Sequence, residues 1–133
     1  MAILVGVILA LAVGVFATLV GLDRDRAFYP TVTIVIGFLY SLFAVAGGSN
    51  QALVSEALIG LAFLIAAAVG FRSTLWIVVV ALAAHGIFDS IHARLVSNPG
   101  VPSFWPGFCL AYDVTAAGYL AWSILSGRTR ARA

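Results

Sequence analysis

The stretch His85-Gly86-Ile87-Phe88-Asp89-Ser90-Ile91-His92 sets two imidazoles and a carboxylate at i, i+4 and i+7 within an otherwise apolar run. On an α-helix that spacing gathers the three side chains on one face, within about 60° of arc. Neighbouring members are one turn apart, the i, i+4 geometry by which helix-borne motifs hold a metal ion. His85 and His92 are two turns apart, about 10.5 Å along the axis, so one ion would strain to take all three. The candidate ligands are therefore His85, Asp89 and His92, working as His85 with Asp89 or Asp89 with His92.

Two further acids, Glu56 and Asp113, fall in other apolar runs, so three of the five carboxylates and both histidines lie in such surroundings. An ionisable group at the centre of a membrane helix costs about 2.5–3.5 kcal/mol on insertion scales, and it usually marks a site. Arg94 is the one basic residue nearby; against three carboxylates it leaves −2 when the histidines are neutral. A divalent cation would balance that charge, and zinc, iron and manganese suit imidazole with carboxylate. Protonated carboxyls forming a relay, or a closed hydrogen-bonded network, would balance it equally.

Around this centre, Glu56 and Asp113 are the expected catalytic carboxylates, one helping to hold the ion and the remaining one a general base. Arg94, near the end of its run, is placed to hold a phosphate or carboxylate headgroup. Tyr40 and Tyr112 fall at similar depth, and Trp105 follows Phe104 in a proline-rich loop that could act as a lid; these three are the expected substrate contacts.

The elements that position these residues follow from composition. The chain has 133 residues, 63% hydrophobic and 9% charged, against about 25% charged in a soluble domain; its mean hydropathy is +1.14. An all-α, polytopic membrane protein is expected, one integral membrane domain over residues 1–133. Five apolar runs, near Ile3–Gly21, Thr31–Gly47, Ala52–Phe71, Leu75–Leu95 and Gly107–Ser126, each approach the ~20 residues that cross ~30 Å of hydrocarbon. The first has no basic flank and no clear cleavage site, and is expected to be retained as a helix.

Breaks between the runs carry turn chemistry: Tyr29-Pro30, Gly47-Gly48-Ser49-Asn50, Arg72-Ser73-Thr74 and the Val96–Pro106 connection with its three prolines. Ser73 or Thr74 is the expected N-cap of the fourth helix. Gly6, Gly14, Gly21, Gly37, Gly60, Gly86 and Gly118 are expected to permit close helix approach. Trp76 and Trp122 read as interfacial anchors, and Cys109 as a packing residue.

Six of the seven arginines fall in the first loop, the third loop and the C-terminal tail, which five spans put on one side. Positive-inside logic then sets the N-terminus outside and the C-terminus in the cytoplasm of a bacterial-type inner membrane. The Asp23-Arg24-Asp25-Arg26 run reads as a solvated loop with local ion pairs, and Glu56 as an available partner for Arg94.

Several functions are excluded or disfavoured. Two histidines on one helix face cannot clamp a haem without a second subunit. The chain has no lysine for a Schiff base, no phosphate-cradling glycine loop and no nucleophile elbow. Its small positive charge belongs to loop arginines and implies no nucleic-acid partner. The expectation is a divalent-metal-dependent enzyme acting on a membrane lipid or other amphiphile. The alternatives are a proton- or ion-coupled transporter or channel component, and an accessory subunit of a homo-oligomer or larger membrane complex.

Overall fold

The computed structural model describes Met1–Ala133. It contains α1 (Ala2–Val20), a short 3-10 turn (Leu22–Arg24), α2 (Phe28–Ala46), α3 (Asn50–Arg72), α4 (Trp76–Leu95) and α5 (Trp105–Leu125). All five α-helices, of 19 to 23 residues, are long and apolar enough to cross a membrane. In hydrocarbon the backbone must satisfy its own hydrogen bonds, and helices do so within each segment. The chain is a multi-pass membrane protein.

The helix bounds fall within a few residues of the apolar runs, and local chemistry explains the shifts. α2 starts at Phe28, earlier than expected, because Pro30 sits in a first turn whose amides have no intrahelical acceptor. Ser49 caps α3, its Oγ accepting from Ala52 N at 3.2 Å. Leu75 precedes α4 and has no side-chain cap; of the two expected caps, Thr74 Oγ1 accepts from Trp76 N at 3.5 Å. Ser73 Oγ instead donates to Val69 O at 2.6 Å, closing α3 behind it.

The helices form an arc in the order α1, α5, α4, α3, α2, with α4 also touching α2. α1 runs parallel to α5: Gly6 meets the backbone of Phe108, and Gly14 meets the ring of Tyr119. α2 packs on α3 where a Cβ at Gly60 would stand 2.8 Å from Gly37 O. Gly118 was expected to serve the same purpose, but it faces open space. α1 and α2 do not pack along each other, so the arc stays open between them.

Met1 and the Val96–Phe104 connection share one end of the bundle, called here the N-terminal end, where Met1, Ala2, Phe104 and Trp105 line a common hollow. The loops and tail at the opposite end are bound into the fold. Arg26 donates to Phe71 O at 2.8 Å, Gly70 O at 3.3 Å and Arg130 O at 2.7 Å, so a guanidinium closes the C-terminus of α3. Leu75 N donates to Ala131 O at 2.7 Å, pinning the tail. The Asp23–Arg26 run is thus no freely solvated loop. Asp23 is buried, accepts from Thr18 Oγ1 at 2.7 Å, and has no ion pair. Burial of a short acid so close to α1 favours a hydroxyl partner, and Arg26 finds unpaired carbonyls instead.

The buried apolar core occupies the C-terminal half, where Leu75, Val78 and Leu82 of α4 meet Ala116, Ala117 and Leu120 of α5. The same face of α4 continues through His85, Asp89 and His92. One helical stripe therefore buries valine and leucine in one half of the bundle and ionisable groups in the other.

Candidate metal centre

His85 and Asp89 reach inward from α4, and Asp113 reaches in from α5. His85 Nδ1 is 2.7 Å from Asp113 Oδ2 and 3.4 Å from Asp89 Oδ2. One ligand atom from each residue lies within 4.8 Å of the others, and all three residues are buried. The approach of the two helices depends on Gly86, where a Cβ would stand 3.1 Å from Leu110 O and 3.2 Å from Asp113 Cβ. Phe63 of α3 meets the His85 ring edge-on, centroids 4.6 Å apart, and fixes its plane.

Four buried polar atoms here have no hydrogen-bond partner: His85 Nε2, both oxygens of Asp89, and Asp113 Oδ1. A buried acceptor left unpaired costs about 1–3 kcal/mol, more when charged. A group that binds oxygen and nitrogen together would satisfy them at once. A divalent ion fits, because one imidazole and two carboxylates are ligands that zinc, iron and manganese accept, leaving further positions open. The group can take a metal ion.

His92 stands apart from that group. Its Nε2 is 2.7 Å from Glu56 Oε1 of α3, and its ring stacks on Tyr40 of α2 at 3.9 Å, with the planes 14° apart. Asn98 Nδ2 donates to Glu56 Oε1 and to Tyr40 O, both at 3.0 Å, stitching the long connection onto α2 and α3. A polar crevice of about 310 Å³ at the N-terminal end is lined by His92, Ser97 and Asn98. Two acid–imidazole clusters thus lie in sequence along α4, one beside the crevice at the bundle end and one deeper in the bundle.

The expected residues therefore sort differently from their sequence grouping. Of the three candidate ligands on α4, His85 and Asp89 gather with Asp113 of α5, whereas His92 stands beside Glu56. The seven-residue separation puts His92 a second turn beyond His85, whereas α5 brings Asp113 to hydrogen-bonding distance. Arg94 is exposed and pairs with no carboxylate, so the expected Glu56–Arg94 contact is replaced by Glu56–His92. Tyr40 is buried between the two clusters, its ring centroid 6.3 Å from that of His85. Trp105 packs edge-on against Phe43 of α2 at 4.8 Å; with Tyr112 and Asp113 it lines a groove between α5 and α2.

Asn98 was not foreseen. Its only sequence signal is a side-chain amide beside Pro99 in a loop, which ordinarily reads as turn chemistry. Phe63 carried no signal either, being one apolar residue among many in α3.

No protein-family model, curated protein or solved structure matches the chain. Fold and site together define a multi-pass helical membrane protein with a buried His/Asp/Asp group able to hold a metal ion.

Proposed function

We propose that this protein is a divalent-metal-dependent enzyme of a bacterial-type inner membrane, acting on a lipid or other amphiphilic substrate. His85, Asp89 and Asp113 would be the ligands. The observation that carries this reading is the convergence of three buried ligand residues with four unpartnered polar atoms. A bound ion would supply Lewis acidity and a place to activate water or oxygen.

The chain's own groups have separable tasks. Asp113 belongs both to the ligand group and to the groove wall, so it faces the place a substrate would occupy. Phe63 and Gly86 keep His85 and Asp113 in register. Glu56 holds the His92 imidazole, and that pair would pass protons between the polar crevice and the interior as a general acid–base couple. Trp105 and Tyr112 would contact the apolar part of the substrate. Arg94, exposed at the end of α4, would hold an anionic headgroup at the surface, with the N-terminus of the chain on the outer side.

A second reading, proton or ion transport, is favoured by the two histidine–carboxylate contacts of 2.7 Å along one helix. The apolar core of Leu75, Val78, Leu82 and Leu120 lies between these groups and the opposite end. That plug ends any relay halfway, which favours local chemistry over conduction.

Elemental analysis of detergent-purified protein tests the proposal. Near-stoichiometric zinc, iron or manganese is expected, with loss in Asp89→Ala. Absence of metal after incubation of the wild type with each of the three ions would remove it. Proton flux into liposomes abolished by Asp113→Asn would establish the second reading instead.

A further inference from the structure

Between α1 and α5 on one side and α2 on the other runs a groove of about 570 Å³. Ligand sites commonly occupy about 300–1,000 Å³. Its walls are apolar: Leu9 of α1, Val35 and Leu39 of α2, and Phe108 and Tyr112 of α5, with Asp113 among them. From Phe28 to the level of Phe43, on which Trp105 packs, it follows α2 for about fifteen residues, roughly 22 Å at the rise of an α-helix. That is most of a ~30 Å hydrocarbon core, long enough to take a single chain lengthwise.

We propose that this groove holds one acyl chain of a membrane glycerolipid, entering sideways between α1 and α2 and passing Asp113 with its middle methylenes. Three observations select that occupant. The gap between α1 and α2 opens between two membrane-spanning helices, where the surrounding medium is lipid chain and not water. The charged residues on the wall, Asp25 and Asp113, are both acidic; the wall offers no cation to pair with a free carboxylate, whereas an uncharged, ester-linked chain needs none. The third is depth. Asp113 lies eight residues beyond Trp105, about 12 Å along α5, well below the level at which an ester linkage sits.

The inference rests on the proposed enzyme for its purpose, since it names the substrate class of that site, but its test is independent of metal. Protein would be reconstituted in vesicles of phosphatidylcholine bearing an alkyl diazirine either at mid-chain or beside the ester, photolysed, and mapped by peptide mass spectrometry. Mid-chain probe is expected to label Cys109–Asp113 far above the exposed lipid-facing Leu58 and Val80, and the ester-proximal probe to label nearer Trp105. Val35→Trp, which fills the groove from its exposed side, is expected to reduce the α5 label severalfold, and Val80→Trp to leave it unchanged. Equal labelling of groove and outer faces, or indifference to Val35→Trp, would overturn the proposal. Stronger labelling by a free fatty-acid probe would overturn the assignment to an ester-linked chain. The same labelling after chelation, in protein found to lack metal, would keep the groove and remove the metal enzyme. A loaded metal centre with unselective labelling would do the reverse.

Discussion

Asp113 Oδ2 lies 2.7 Å from His85 Nδ1 across the α4–α5 interface, whereas Asp89, one turn along the same helix as His85, is 3.4 Å away. The closer contact is between residues 28 apart in the chain. An imidazole hydrogen-bonded across a helix interface is fixed by tertiary packing, and with it the geometry of any ion it binds.

Asp113→Asn is therefore expected to weaken metal binding by more than the roughly 10–100-fold typical of losing a group that only supports a ligand. His92→Gln is expected to stay within or below that range. Competition against a chromophoric chelator would measure both. Binding should also weaken on acidification for the wild type, because ligands must release protons to hold the ion. Equal losses in Asp113→Asn and His92→Gln would contradict the assigned ligand group.

The Glu56 pair predicts a contrast in stability. Glu56→Leu leaves His92 Nε2 and Asn98 Nδ2 without their shared acceptor, for a loss of about 1–3 kcal/mol. Glu56→Gln keeps an acceptor oxygen there and should lose less. Denaturant unfolding in detergent, followed by near-ultraviolet dichroism, would rank them. Equal losses would show that the charge, which both variants remove, decides at this position, and the reverse order would contradict the shared-acceptor role.

Glycine substitutions probe the α1–α5 contact. A side chain at Gly6 would overlap the carbonyl of Phe108 and meet Ala111 Cβ at 3.0 Å. Gly6→Leu is expected to destabilise by about 1–3 kcal/mol, as overpacking does. Gly118→Ala meets nothing within 4 Å and should leave stability unchanged or raise it by up to about 1 kcal/mol through helix propensity. Thermal midpoints in one detergent provide the comparison, and a destabilised Gly118→Ala would contradict the packing described.

Arg26 joins α3, the α3–α4 connection and the tail through backbone carbonyls. Arg26→Ala is expected to raise hydrogen exchange over residues 70–75 and 129–133 together, while the centre of α4 keeps its protection. Arg26→Lys should restore it only in part, since an ammonium cannot reproduce the planar fork. Exchange confined to one of the two segments would show that they are not tied through this residue.

Five spans were legible from the runs of apolar residues alone, because hydrocarbon leaves the backbone no partner but itself and makes length and hydropathy decisive. The shared face of His85, Asp89 and His92 was legible too, being a property of helical period, and all three are buried. The close approaches at Gly6, Gly14 and Gly60 followed from residue size. What remained hidden was which neighbour each polar group would meet. Asp113 came to His85, His92 took Glu56, and Asn98 joined that pair from a loop. Arg26 left its acidic neighbours for the end of α3, and the groove opened because α1 chose α5 over α2. Each outcome depends on how far a helix is rotated about its own axis and on which helix lies beside it. Hydropathy is nearly blind to both, because an apolar helix satisfies the membrane equally well in every orientation. Packing of small residues and the pairing of a few buried charges select one orientation, and those contacts exist only once the helices have assembled.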